Sequence, residues 1–273
     1  IGAGLGAIAF RYLIQGFTFL FFDVFLPALA SLFGSAAVML VPALGGLVVG
    51  PLIYFFAREA KGHGVPEVML AVALRGGRIR PRVAVVKSLA SALCIGSGGS
   101  VGREGPIVQI GSALGSTLGQ VLRIRTLVAC GAAGGVAATF NAPIAGVFFA
   151  MEVILGEFTT RAFGIVVLAS VTASVIGRAM FGNVPAFPVP AWELVNVAEL
   201  PLCAVLGILA ALVGVGFSRT LYWFEDRFDD IPMLEYLKPV PGGLLLGLLG
   251  IFLPQIFGVG YPAMEQALHN EYG

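Results

Sequence analysis

Two short motifs carry the chemistry available to this chain. Gly102-Arg103-Glu104-Gly105-Pro106 places two opposite charges and a proline at the head of an apolar stretch, and neither Leu89–Val101 nor Ile107–Leu122 carries a charge. A charge at bilayer depth costs about 2.5–3.5 kcal/mol on insertion scales, so Glu104 is expected to face a watery pathway and not lipid. An acid in a first helical turn gains only about 0.3–1 kcal/mol from the dipole, so helix capping alone does not account for it. Glycines followed by an early proline describe a helix that starts inside the membrane, its backbone N–H groups pointing at something negative. The motif reads as an anion site with its own built-in anion: an acid that fills the seat when ionised and leaves it when protonated or displaced.

Gly62-His63-Gly64-Val65-Pro66-Glu67 is built the same way, with glycines that unwind the chain, Pro66 suited to a first turn and Glu67 following in that turn. Amides at a helix start hold an anion through partial charges, which lets it enter and leave as passage through a pore requires. His63 has two equal readings, a ring N–H donated to the anion or a helix-entry histidine bonded to backbone. Arg103 is expected in a structural ion pair, aimed at a carbonyl or interface water. Lys87 either lowers the barrier for anions or snorkels from a helix end. Glu152, a lone carboxylate, is expected to pair with a nearby arginine.

The elements that must position these residues are apolar helices. The chain is 58% hydrophobic and 11% charged, with a mean hydropathy of +0.95, which excludes a soluble domain and a disordered one. Val24–Ala57, Thr126–Met151, Leu200–Ser218 and Pro239–Met264 contain no Asp, Glu, Lys or Arg. A crossing needs about 20 apolar residues, so the chain is expected to be an all-α, multi-pass membrane protein in contact with the lipid bilayer. Thirty-eight glycines fit close helix approach in a membrane. The expected helices are Ile1–Phe25, Ser35–Arg58, Pro66–Leu74, Arg80–Ile95, Glu104–Leu122, Arg125–Phe140, Pro143–Phe158, Thr160–Phe181, Val195–Phe228 and Gly242–Ile256. Several are too short to span and read as half-helices ending near the midplane. Arg75, Arg78, Arg80 and Arg82 mark a loop expected on the cytoplasmic side.

Other functions find little support. A net charge of +1 and the lack of a basic patch interleaved with aromatics leave no case for a nucleic-acid partner. Cys94, Cys130 and Cys203 lack CxxC spacing and read as buried small hydrophobes. His63 and His269 lack metal-ligand spacing, so no metal site is expected. No HExxH, GxSxG or paired catalytic carboxylates occur, and no enzyme activity is expected. Gly96-Ser97-Gly98-Gly99 follows no strand pattern and is set aside as a dinucleotide loop. Ile1 falls straight into a spanning segment, so the chain is expected to lack its natural start.

A repeat organises the sequence. Gly45-Gly46-Leu47, Gly50, Leu52 and Phe55 match Gly242-Gly243-Leu244, Gly247, Leu249 and Phe252, and further on Gly62-His63-Gly64-Val65-Pro66 matches Gly258-Val259-Gly260-Tyr261-Pro262. The residues divide as a first repeat over 1–182, a Pro-rich linker over 183–193 and the start of a second repeat over 194–273. Whether the repeats run parallel or inverted is not fixed by the residues alone. The second stops just after its G-x-G-x-P, so a site formed between repeats is expected to be incomplete.

With both motifs in view, the chain resembles the CLC family of chloride channels and chloride/proton exchangers from Ile1 to about Pro262. Gly102–Pro106 is that family's GREGP motif intact. Gly62–Pro66 resembles its GSGIP motif, with His63 for serine and Val65 for isoleucine, and Asn141-Ala142-Pro143-Ile144-Ala145-Gly146 is similar to its NAP-containing helix start. The resemblance implies a CLC-type bundle of tilted and broken helices with inverted repeats, and a homodimer with a separate pore in each subunit. It implies that Glu104 is the gate, that backbone at His63, Gly64, Val65, Arg103, Glu104 and Gly105 binds the anion, and that Lys87 lies near the pore. Chloride would be the transported ligand, with no cofactor, in a plasma or inner membrane.

Three departures stand out. His63 replaces the serine that coordinates the central anion, and the family's second-half GxFxP motif and pore tyrosine have no counterpart here. Val153 occupies the position, just after Glu152, where exchangers commonly carry an inner proton-relay glutamate. Family channels usually have valine there. The sequence therefore favours a chloride-selective channel gated by Glu104 and sensitive to voltage and pH, with a chloride/proton antiporter as the alternative. A carboxylate crossing the field feels up to about 2.3 kcal/mol per 100 mV, enough to bias such a gate.

Overall fold

The computed structural model describes residues 1–58, 61–186, 189, 196–197 and 199–269. The described residues form helices and no strands. They are α1 (Gly2–Thr18), continued by a π-helical stretch Phe19–Phe25, then α2 (Leu26–Phe33), α3 (Ala37–Phe56), α4 (Val65–Arg75), α5 (Pro81–Gly96), α6 (Glu104–Leu122) and α7 (Leu127–Phe140). After these come α8 (Pro143–Phe149) with a π-helical tail Ala150–Leu155, α9 (Thr160–Phe181), α10 (Glu199–Asp229), α11 (Pro239–Phe252) and α12 (Tyr261–Leu268).

Local chemistry explains the breaks. Gly34 adopts φ +60° and separates α2 from α3, and Asn141 at φ +55° ends α7 just before Pro143 opens α8. Only glycine and, at some cost, asparagine enter this left-handed region readily. The uncharged run Thr126–Met151 is therefore two half-helices and not one crossing, and Pro239–Met264 is likewise interrupted at Leu253. The stretch Gly2–Phe56 and helices Thr160–Phe181 and Glu199–Asp229 are long and apolar enough to cross a membrane. Helix α2 was not anticipated, because Pro27 reads as a breaker although it sits in the first turn, where no N–H is needed. Helix α12 was not anticipated either.

The chain divides into two compact units, Ile1–Pro188 with Glu235–Gly273, and Val189–Leu234. In the second, α10 is apolar on every side over Leu200–Ser218 and none of its residues is buried, so Cys203 is exposed and not the buried hydrophobe expected. A helix apolar all round belongs in a membrane. This division differs from the one read in the sequence, since the residues from Glu235 onward belong with 1–182. Much of the Pro-rich linker, at 187–188 and 190–193, lies outside the described residues, as do residues 194–195 and 198.

The reason lies in how the repeat copies meet. A side chain added at Gly46 would strike the Pro239 carbonyl, and one at Gly243 would strike the Pro42 carbonyl. Added at Gly50 it would meet Tyr236, and at Gly247 it would meet Met39. Pro42 and Pro239 are repeat equivalents, as are Met39 and Tyr236. Each copy thus presents the same patch to the other, with numbering that rises along α3 as it falls along α11. Such self-complementary contact requires an approximate two-fold axis. The two blocks are inverted, and their glycines let the helices touch backbone to backbone.

The same device fixes α6, whose first residue is Glu104. Gly111, Gly115 and Gly119 recur every fourth residue, and a Cβ at Gly111 would overlap the Gly131 carbonyl, just as one at Gly131 would overlap that of Gly111. Gly135 likewise abuts the Ile107 carbonyl of α6. Around this seam lies a core of Val108, Ala113, Val128, Ala132 and Met151. Gly131→Val is expected to destabilise the protein by about 1–3 kcal/mol through overpacking, seen as a lower midpoint in detergent unfolding. Gly164→Val, where a Cβ meets nothing within 4 Å, should be near neutral.

Candidate functional site

Helices α4 and α6 begin side by side. Gly64, the residue before α4, has φ +94°, and a Cβ on it would overlap the backbone of Gly105. A Cβ on Gly105 would in turn overlap the His63 carbonyl oxygen. Each glycine is required by the other's backbone, so the tips interlock. His63, Gly64 and Val65 are thereby brought against Gly105 and its neighbours Arg103 and Glu104. Two helix starts that meet in this way put their unpaired first-turn N–H groups, each with partial positive charge, in one place. Val65 turns its side chain into the core. The His63 imidazole is exposed.

The carboxylate of Glu104 lies across Gly102, whose missing side chain leaves room for Oε2. Its Oε1 accepts a hydrogen bond of 3.0 Å from the Tyr261 hydroxyl. Glu104 is exposed, and Arg103 does not pair with it. The Arg103 guanidinium is instead held between rings, 4.8 Å from the Tyr261 centroid and 5.6 Å from that of Phe140. The structural ion pair expected for Arg103 is thus replaced by stacking, because the aromatic faces offer a site that the carboxylate, folded over Gly102, does not. Behind it, Arg11 stacks on Phe181 at 4.1 Å. A cavity of about 10 Å³ is lined by Arg11, Arg103, Thr139 and apolar side chains.

At the α4 tip, Lys87 is 6% exposed and donates from Nζ to the Gly62 carbonyl at 2.9 Å. It therefore does not snorkel; it sits beneath the loop that opens α4. Glu67 closes the same turn, its Oε2 accepting from the Gly64 N–H at 2.6 Å. That N–H, anticipated as an anion donor, already holds a carboxylate. Glu152, expected in an ion pair, is exposed and makes none with the described residues.

Sequence reasoning did not assign Tyr261 and Glu67 to the site. Tyr261 occupies the position of Val65 in the second G-x-G-x-P, and Gly260 there has φ +77° as Gly64 has φ +94°. The repeat carried the signal, since equivalent positions of inverted copies can converge on one site. Glu67 could have been found from its place three residues after the helix-preceding Gly64, the position of a capping carboxylate.

Interlocked helix starts, a carboxylate held by a neutral donor and nearby arginines thus meet at the head of α6. Residues 45–273 match the family described as voltage gated chloride channel, and the chain belongs to that family. It is 34% identical over 240 residues to a ClcB-like chloride channel protein of Ralstonia nicotianae, covering 85% of this chain and 56% of that one. It is 32% identical over 252 residues to the H(+)/Cl(-) exchange transporter ClcA of Vibrio parahaemolyticus, covering 86% of this chain and 53% of that one. Among solved structures, a slow cyanobacterial Cl-/H+ antiporter superposes with a TM-score of 0.84 at 25% identity, over 97% of this chain and 64% of that one. The chain thus spans about half the length of the curated relatives it matches, 56% and 53% in these two cases. Family membership and the long apolar helices make it an integral membrane protein.

Proposed function

We propose that this chain supplies the Glu104 half of the anion pathway in a chloride/proton exchanger. Glu104 alternates between filling the anion seat as a carboxylate and leaving it as a protonated acid. The observation that carries this reading is the partner of Glu104: a tyrosine hydroxyl and not an arginine. A hydrogen bond to a charged group contributes about 1.5–3 kcal/mol, small enough to exchange for a proton or an anion during turnover. The helix starts at Gly64 and Gly105 form the wall of the seat, Lys87 holds the Gly62 loop in register, and Arg11 and Arg103 draw anions towards it.

This order of readings reverses the one drawn from the sequence, where Val153 put the channel first. The relative in Vibrio parahaemolyticus is named an exchange transporter, and the superposed cyanobacterial protein is described as an antiporter. Those names support the exchanger, with protons as the second substrate. Val153 and the relative named as a chloride channel protein support the channel as the second reading. Either way the reading is of transport, without catalysis or cofactor. Family membership also supports a homodimer, with one pathway per subunit, in a plasma or inner membrane.

The two readings separate in liposomes holding the intact protein, with chloride and proton flux recorded together. An exchanger's reversal potential moves with the pH gradient; a channel's tracks chloride alone. Tyr261→Phe keeps the ring under Arg103 but removes the donor. Loss of a hydrogen bond of that strength is expected to raise anion flux by about tenfold and to change its pH profile. An unchanged pH profile would mean that the hydroxyl does not hold the gate.

A further inference from the structure

Helices α4 and α6 run side by side, and their far ends carry a second feature. A cavity of about 640 Å³ opens there, lined by Arg75 at the end of α4, Arg78 from the loop that follows, and Arg123 and Arg125 from the turn after α6. No Asp or Glu lines it, and none of these four guanidiniums has a hydrogen-bond or ion-pair partner among the described residues. All four are exposed.

The convergence is built into the backbone. Ser116, 1% exposed, donates to the Gly77 carbonyl at 2.6 Å and accepts from the Ile79 N–H at 2.8 Å. Gln120 adds a 3.1 Å bond to the Ile79 carbonyl. These bonds pin the loop that bears Arg78, just after Arg75, onto α6. Arg125 in turn lies across Gly76, where a Cβ would sit 3.7 Å from its guanidinium. Arg123 adopts φ +59°, a left-handed conformation uncommon for a residue other than glycine. A helix end that needed only a stop would carry glycine there, as α4 does at Gly76.

Four like charges around a cavity with no acid in its lining repel one another, so the arrangement calls for a multivalent anion. Planar guanidinium forks match phosphate oxygens two at a time. Leu74 and Val121, in the last turns of α4 and α6, are each 76% exposed. By length, α4 sets this cavity about 16 Å from the Gly64 tip. We propose that the cavity binds a phosphate-bearing headgroup, of the kind an anionic phospholipid presents, at a site separate from the anion pathway. A basic pocket between membrane helices on the positively charged side is the setting in which such headgroups bind.

Native mass spectrometry of the intact detergent-solubilised protein tests this, with phosphatidylglycerol, phosphatidylcholine and inorganic pyrophosphate as probes. Phosphatidylglycerol is expected to bind in preference to phosphatidylcholine, and Arg75→Gln with Arg78→Gln to weaken it roughly thirtyfold, about fivefold per charge. Arg123→Gly removes a guanidinium while supplying the residue its backbone favours, so it should fold and still lose about fivefold. Arg161→Gln, outside the cavity, should change nothing. Pyrophosphate binding that shows the same arginine dependence, without retained lipid, would support the phosphate chemistry and assign it to a soluble ligand. Binding of both probes that is indifferent to Arg75, Arg78 and Arg123 would overturn the proposal.

Discussion

Glu104→Gln is expected to abolish proton transport while anion flux continues. The amide matches the carboxylate in shape, and its carbonyl oxygen can still accept from the Tyr261 hydroxyl, which donates to Glu104 at 3.0 Å. It can neither ionise nor deliver a proton. Lacking charge, it also competes poorly for helix-start N–H groups, whose preference for anions comes from the dipole. Reversal potentials recorded with a fixed chloride gradient and a varied pH gradient check this. In the parent protein the reversal should move with pH; in the variant it should follow chloride alone. A parent that already ignores pH, with a variant that conducts constantly, would favour the channel reading and leave the anion seat intact. A variant that still couples protons would remove Glu104 from both.

Gly64→Ala is expected to cost the most among single-carbon additions. At φ +94° an L side chain is strained, and the new Cβ would also overlap the Gly105 backbone. Backbone strain of about 1–3 kcal/mol and overpacking of about 1–3 kcal/mol together approach the net stability of about 5–15 kcal/mol typical of a whole protein. Gly105→Ala meets the His63 carbonyl from the other side. Both variants should unfold at markedly lower temperature in detergent, and whatever protein survives should carry little anion flux. Gly16→Ala, where nothing lies within 4 Å, is the matched control. Near-normal flux in Gly64→Ala would mean that the two tips need not touch.

The legible parts of the fold were those with a local chemical signal. Helix α6 begins at Glu104 and ends at Leu122 as expected, and α9 spans Thr160–Phe181, because Gly102 and Pro106 mark the start of the first and Thr159 and Gly182 bracket the second. The repeat was visible as matched glycines, but its inversion was not. Direction depends on whether Gly46 faces Pro239 or a residue further on, and that is a contact across the bundle. The site was half legible for the same reason. The motifs at Gly62–Glu67 and Gly102–Pro106 named two helix starts, since an acid and free amides at bilayer depth are costly unless used. Tyr261 lies 157 residues from Glu104, and no local pattern connects them. For Arg103 charge suggested an ion pair, and for Lys87 it left two readings, an electrostatic role near the pore or a snorkelling side chain. Aromatic faces and the Gly62 carbonyl, supplied by other segments, provided both partners instead.

The most direct test is to locate a heavy halide in crystals of the intact protein, by anomalous scattering after bromide exchange, for both the parent and Glu104→Gln. A bromide peak at the α4 and α6 tips is expected in the variant, where no ionised carboxylate competes for the seat, and a weaker or displaced one in the parent. Bromide absent from the α4 and α6 tips in both proteins, or equally strong there in both, would contradict competition between Glu104 and the anion for one seat.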